Sequence, residues 1–257
     1  MITTAIASPK GSIIEPAYQN IEQKIVKSFY VEDVTEDLNK LHIAFSLVAQ
    51  NYSRFSSSNI SFQEIYQELC DDPYHTLGLS RTLLLNGYNP NTNKVEILGT
   101  NRIVLGSFQP SNSTLPPLEA MQLISPLEGW DNFSFENFNA NEAVELSRFA
   151  TTFECNSGIS KKIKLSHLVG KSLLTNAINF SIQKYEKRQV WAIMPRYVIK
   201  ALTTEETQFS PVPYMTLNFQ KHAKLFQKYD KYWLHSHPWF YKITLGKVKV
   251  RANASEC

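Results

Sequence analysis

The chain has 257 residues, 43% of them hydrophobic, with a formal net charge of +3, so it can bury one substantial core without disulfides or a structural metal. Its three cysteines, Cys70, Cys155 and Cys257, are widely spaced and form no C-x-x-C pair, which argues against a disulfide framework or a zinc site and for a reducing cytosol. The small net charge conceals an asymmetry: residues 1–157 carry 9 Lys/Arg against 18 Asp/Glu and residues 158–257 carry 17 against 5, a basic C-terminal half suited to a polyanionic partner.

Residues 1–22 contain Pro9, Gly11 and Pro16 without periodicity and read as a flexible arm, leaving residues 23–257 as a single domain. Met1–Glu15 lacks an apolar block of signal-peptide length, and no later stretch reaches the about 18 apolar residues of a membrane span. A cytoplasmic protein with no membrane span is expected. Lys24–Val31 has the β-branched and aromatic content of a first strand, and Thr35, Glu36 and Asp37 mark a helix start. Leu38, Leu41, His42, Phe45, Val48, Ala49 and Tyr52 then follow at three- and four-residue steps, one apolar helix face on which His42 reads as a core histidine. Phe62, Ile65, Tyr66 and Leu69 repeat the spacing until Asp71-Asp72-Pro73 ends it.

Leu77–Leu85 and Val95–Leu105 read as a hairpin around the turn-forming stretch 87–93. Residues 107–141 carry Pro110, Pro116, Pro117 and Pro126 among large apolar residues and read as a folded excursion over the sheet. A strand is expected over Glu142–Thr152, a long helix over Leu165–Tyr185 and a buried strand over Val190–Met194. A helix from Pro195 and a last strand over Tyr241–Val250 complete the reading.

Two motifs stand on the expected strands, Gly99-Thr100-Asn101-Arg102-Ile103 and Glu145-Leu146-Ser147-Arg148-Phe149-Ala150. Residues i and i+3 of a regular strand point to opposite faces, so Glu145 and Arg148 can meet only across a bulge. The second motif resembles the E-x-S-R-x-A signature of acyl-homoserine-lactone synthases and long-chain N-acyl amino acid synthases, and the first resembles the G-T-x-R strand that precedes it there. Both families are acyltransferases of the Gcn5-related N-acetyltransferase (GNAT) type, and the likeness runs from about Tyr30 to Leu202. It implies an α/β fold of the α+β kind, a GNAT-like, mostly antiparallel central sheet flanked by helices.

The resemblance also implies N-acyl transfer from a thioester to an amine. Attack needs a neutral amine, and Glu145 is the candidate base. Arg102 and Arg148 would hold the acceptor's carboxylate or a substrate carbonyl, or keep Glu145 ionised; alternatively the three form a buried ion network that only braces the sheet. The GNAT bulge, expected around Phe149, Ala150 and Thr151, would offer a free backbone N–H to the thioester oxygen. In place of a diphosphate-binding glycine loop the chain has Ser157-Gly158-Ile159-Ser160-Lys161-Lys162-Ile163-Lys164. Lys161, Lys162 and Lys164 therefore suggest docking of an acidic acyl carrier protein, with an acyl-phosphopantetheine thioester as donor, a coenzyme A thioester as a possible substitute, and no permanently bound cofactor.

The acceptor is expected to be an amino acid or a Lys or ornithine side chain of a peptide, with S-adenosylmethionine, and hence lactone synthesis, as the alternative. A non-enzymatic carrier-docking protein is a further alternative. Phe108, Met121, Leu123, Trp130, Phe133, Phe149, Phe153 and Trp191 are candidate walls for an acyl tunnel, although core packing explains each as well. Cys155 with His167 is not needed as a nucleophile pair in direct transfer. His235 and His237 read as packing residues, so no metal is expected, and the acidic first half argues against nucleic acid.

Overall fold

The computed structural model describes residues 29–55, 60–89, 93–105, 124–126, 142–152, 159–203, 207–212, 215–217, 220, 222–235 and 238–245. The expected arm 1–22 and most of the excursion 107–141 lie outside them.

Strand β1 (Tyr30–Asp33) leads to helix α1 (Leu38–Tyr52), a 3-10 turn (Ser53–Phe55), α2 (Phe62–Cys70) and the single turn α3 (Pro73–Thr76). Helix α1 starts at the cap Asp37, which accepts from Lys40 N at 3.2 Å. Thr35 ties the strand end down instead, donating to Asp33 Oδ1 at 2.7 Å and accepting from Thr82 N at 2.9 Å. A capping box between Ser61 and Glu64 starts α2. The buried face of α1 is Leu41, Ala44, Phe45, Leu47, Val48 and Ala49. His42 is exposed and contacts the Tyr66 hydroxyl, contrary to the core role expected of it, because Ala44 and Leu47 turn the packed stripe away from it.

The hairpin β2 (Ser80–Asn89) and β3 (Lys94–Leu105) is followed by β4 (Ile124–Pro126), β5 (Ala143–Thr151), the 27-residue helix α4 (Ile159–Tyr185) and β6 (Gln189–Pro195). Helix α5 (Arg196–Leu202), β7 (Thr207–Pro211), β8 (Met215–Leu217), α6 (Ala223–Lys228), a π-helical turn (Lys231–His235) and β9 (Pro238–Leu245) complete the chain. Pro195 caps α5 rather than entering its first turn, and the last strand begins three residues before the expected Tyr241.

Seven strands form one sheet in the order β1-β2-β3-β5-β6-β9-β7, and only β5 and β6 run parallel. A parallel neighbour needs a long crossover, and α4 supplies it. Strand β4 pairs with β8 in a separate ribbon. Helix α4 lays Leu174, Ala177 and Ile178 on one face of the sheet against Leu83, Ile103, Val144, Leu146 and Val190. Helices α1 and α2 cover the other face with Leu41, Phe45, Val48, Ile65 and Leu69 around Ala150. Each such apolar side chain contributes about 1.5–3 kcal/mol on burial. This is the mostly antiparallel, helix-flanked sheet expected from the sequence.

Strand β5 breaks its own alternation. Thr100 opposes Ala150 and Arg102 opposes Ser147, so Arg148 and Phe149 together face the single residue Asn101. Arg148 is the extra residue and has φ +55, the left-handed region. Val144 and Leu146 pack toward α4, yet Ala150 packs on α1 and α2 while Phe149 turns to Val169 and Leu173 of α4. In an unbroken strand residues 144, 146 and 150 would share a face. The bulge begins one residue before the expected Phe149–Thr151 and includes Phe149, while Ala150 and Thr151 have already rejoined the ladder opposite Thr100 and Gly99.

Gly99 allows that return. A Cβ there would stand 2.9 Å from Ala150 O and 3.4 Å from Leu173 Cδ2, a backbone obstacle that cannot rotate away. Gly99→Ala is expected to cost about 1–3 kcal/mol in chemical denaturation through overpacking. Unchanged stability would mean that β3 and β5 do not approach this closely.

Candidate active site

Pro73 in the first turn of α3 and the cap Asp72 are a compact start signal, with Asp72 Oδ1 accepting from Tyr74 N at 3.2 Å. The same carboxylate reaches across to the sheet. Its Oδ2 lies 2.7 Å from Arg102 Nη1 and 3.1 Å from Arg148 Nη1, with the Asp72 side chain 2% exposed, that of Arg102 3% and that of Arg148 16%. Arg102 also donates from Nε to Ser147 Oγ at 2.9 Å and stands 5.8 Å from the Tyr74 ring centre. The contact from Arg148 is an ion pair only, since its buried Nη1 lacks hydrogen-bond alignment to any acceptor among the described residues.

Burial by itself would raise the Asp72 carboxyl, but Arg102, Arg148 and the hydrogen bonds from Arg102 and Tyr74 outweigh it and hold the group below the usual carboxylate range. Burial, then the like charge of Arg148, pulls Arg102 down, and Asp72 and Glu145 oppose that pull. Glu145 is 4% exposed and lies within electrostatic reach of Arg102.

Of these groups Arg102, Glu145, Ser147 and Arg148 form one wall of a pocket of about 270 Å³, and Asp72 stands behind them. Glu145, Ser147 and Arg148 all line it, because the left-handed turn at Arg148 returns its side chain to the face of Glu145 and Ser147. The facing wall consists of Tyr52, Ile65, Glu68 and Leu69 from the first helices and of Leu225, Tyr229, Tyr232 and Trp233 from the C-terminal segment. Tyr229 donates to Glu68 Oε2 at 3.1 Å, Lys228 pairs with the other oxygen of Glu68, and Tyr232 donates to Ile193 O at 3.3 Å. Tyr52 and Tyr229 meet edge to face at 5.9 Å. Burial pushes all three phenols up, so they stay protonated at neutral pH.

A second pocket of about 120 Å³ adjoins the first, sharing Tyr52, Leu146, Ser147, Arg148, Ile193 and Tyr232 with it. It lies where the parallel strands part. Strand β6 pairs with β5 only over Ala143–Glu145, so the far edge of β5 from Leu146 to Thr151 has no strand partner among the described residues.

Of the residues expected from sequence, Glu145, Arg148 and Arg102 come together, Phe149 lines the second pocket, and Ala150 and Thr151 continue β5 beyond the bulge. Lys161, Lys162 and Lys164 fall in the first turns of α4, but their side chains lie outside the described residues, as do those of His167 and His235. Phe108, Met121, Leu123, Trp130, Phe133, Phe153, Cys155 and His237 lie outside them entirely, and Trp191 is a core residue 3% exposed.

Asp72 was read as a helix stop and not as a site residue, although charge balance points to it: two arginines in the interior against one buried glutamate demand another carboxylate. Nothing in the sequence pattern marks Glu68, Tyr229 or Tyr232. Among the described residues no group of three His, Cys, Asp or Glu is placed to hold a metal, and no helix is long and apolar enough to cross a membrane.

No family model and no curated protein matches the chain. Solved structures with similarity to it include an aminoglycoside acetyltransferase, AAC(6')-Ib, in complex with ribostamycin and coenzyme A, at 8% identity, covering 89% of this chain and 99% of that one with a TM-score of 0.42. The Campylobacter jejuni N-acetyltransferase PseH has 10% identity, coverage of 86% and 99% and a TM-score of 0.34. The AHL synthase LasI has 12% identity, coverage of 84% and 88% and a TM-score of 0.40. None of these similarities assigns a role to a residue of this chain.

Asp72→Asn leaves two buried guanidiniums facing a neutral amide and is expected to cost about 3–5 kcal/mol in urea unfolding. Because the folded-state pKa of Asp72 lies below its unfolded value, its contribution is present at neutral pH and is lost as the pH falls through that lowered value. The variant should lack that part of the acid-unfolding transition, and an acid profile identical to wild type would contradict the assignment.

Proposed function

We propose that the chain is a GNAT-type N-acyltransferase that moves a fatty acyl group from an acyl carrier protein thioester to an amine of an amino acid or of a peptide Lys or ornithine side chain. The observation that carries this reading is the bulge at Arg148, where one strand presents Ser147 and Arg148 to two adjoining cavities and Glu145 to the larger of them. One cavity opens between parting strands and the other between helices, as a donor and an acceptor arriving from opposite sides require.

The unpaired edge of β5 offers backbone hydrogen bonds to the amides of a pantetheine arm, which would add to the sheet like a strand. Glu145 takes the proton of the attacking amine, directly or through a water. Arg148, with a buried Nη1 that lacks a hydrogen-bond acceptor, suits a carboxylate or carbonyl of the acceptor. Tyr52 lines both cavities with a phenol kept protonated by burial, a suitable proton donor to the departing thiolate. Lys161, Lys162 and Lys164, in place of a second diphosphate-binding glycine, favour a carrier protein over free coenzyme A.

The test is to incubate the protein with acyl carrier protein loaded with mixed chain lengths and a library of amines that includes S-adenosylmethionine, and to identify products by mass spectrometry. N-acyl amines support the reading; an N-acyl lactone would move the acceptor to S-adenosylmethionine, and binding without turnover would favour a carrier-docking protein. Glu145→Gln is expected to keep the fold and reduce kcat about 10²–10⁴-fold, the range of general-base catalysis. Reversing Lys161, Lys162 and Lys164 to Glu should raise KM for the carrier protein and leave KM for small pantetheine thioesters unchanged.

A further inference from the structure

Ser147 lines both cavities and precedes the left-handed residue of the bulge. Its oxygen accepts from Arg102 Nε at 2.9 Å. A guanidinium has donors and no acceptor, so the hydroxyl proton cannot go to Arg102 and is left to donate elsewhere. Arg102 in turn is immobilised, with Nη1 2.7 Å from Asp72 Oδ2, the side chain 3% exposed and the Tyr74 ring beside it. Arg102 thus donates in two directions, to Asp72 and to Ser147, and the second bond ends where the cavities meet. A cationic donor on the serine oxygen polarises the O–H bond and strengthens it as a donor in turn.

We infer that the Ser147 hydroxyl donates a hydrogen bond to the thioester carbonyl oxygen while that oxygen carries negative charge, making it a side-chain oxyanion donor; this rests on the acyltransferase reading. The amine nitrogen bonds to the carbonyl carbon and the C=O π pair moves onto oxygen, where Ser147 holds it without transferring its proton. The pair then returns, the C–S bond breaks, the amine proton goes to Glu145, and the thiolate is protonated from Tyr52 or solvent. Arg102 and Asp72 are positioning residues for this step: they act through Ser147 and touch no reacting atom.

The experiment compares dodecanoyl-pantetheine with its dithioester analogue, in which sulfur replaces the carbonyl oxygen, using a pool of amino acids and Nα-acetyl-lysine as acceptors. Sulfur is a weak hydrogen-bond acceptor, so the wild type should turn over the oxygen donor much faster. In Ser147→Ala, kcat for the oxygen donor should fall about 10²–10³-fold, as when one oxyanion donor is removed, with little change for the dithioester. The ratio of the two rates then collapses. Ser147→Thr, which keeps the hydroxyl, should restore most of the ratio. Ser147→Cys, which keeps the volume with a weak donor, should fall between and serves if the alanine variant does not fold.

Equal losses on both donors would overturn the inference and leave Ser147 as a brace for Arg102. No transfer by the wild type here, together with no product from the carrier-protein and amine-library assay, would overturn the acyltransferase reading itself, and this inference with it.

Discussion

Asp72 stands between two guanidiniums, 2.7 Å from Arg102 and 3.1 Å from Arg148, in a place where its side chain is 2% exposed. Removing such charges from water costs several kcal/mol per ion, and their attraction returns that cost only when the geometry is good. The cluster is therefore a poor source of net stability and a strong source of geometry. Each member has few alternatives, because any one of them moved away leaves a charge uncompensated in the interior. The left-handed backbone of Arg148, costing roughly 1–2 kcal/mol for a residue with a Cβ, is compatible with a stable sheet because the ion pair with Asp72 favours it.

The inversion of strand β5 follows from that constraint. Before the bulge, Val144 and Leu146 feed the core under α4; after it, Ala150 feeds the core under α1 and α2. One extra residue thus lets a single strand serve both cores and turns the polar residues Glu145, Ser147 and Arg148 of the motif toward one cavity. The disturbance has a local cost as well. Asn101, opposite the bulge and 1% exposed, has neither side-chain polar atom hydrogen-bonded within the described residues, a loss of about 1–3 kcal/mol for a buried polar group. Strain and unsatisfied polarity gathered beside a cavity are what a site built for chemistry rather than for stability looks like.

The electrostatics of the two cavity walls differ for a physical reason. On the sheet side Asp72, Arg102, Arg148 and Glu145 are held on a rigid ladder and a capped turn, so their fields point in fixed directions in a medium of low polarisability. On the opposite side the phenols bond to flanking segments, Tyr229 to Glu68 and Tyr232 to Ile193 O. Burial keeps these phenols neutral, so the charge on that wall is the carboxylate of Glu68, which is paired with Lys228.

Much of the fold was legible in local pattern. The three- and four-residue steps of Leu41, Phe45 and Val48 and of Ile65 and Leu69 marked two helices, and the turn-rich stretch 87–93 marked the hairpin. Glu145, Arg148 and Arg102 were singled out because the two strand motifs that hold them resemble those of known acyltransferase families. His42 was misread because spacing defines a stripe only to within a residue, and packing partners choose its centre. Asp72 was seen as a stop signal, since its partners on β3 and β5 are remote in sequence.

The sequence by itself determined the elements, the two strand motifs and the need for a bulge if Glu145 and Arg148 were to meet. The tertiary structure alone decided that the bulge falls at Arg148, that Asp72 joins the site and that Ser147 ends a hydrogen-bonded chain facing both cavities. Periodicity and capping depend on neighbours a few residues apart and can be read along the chain, whereas a buried charge is placed by partners from distant segments that only the closed sheet brings within 3 to 4 Å, the range of hydrogen bonds and ion pairs.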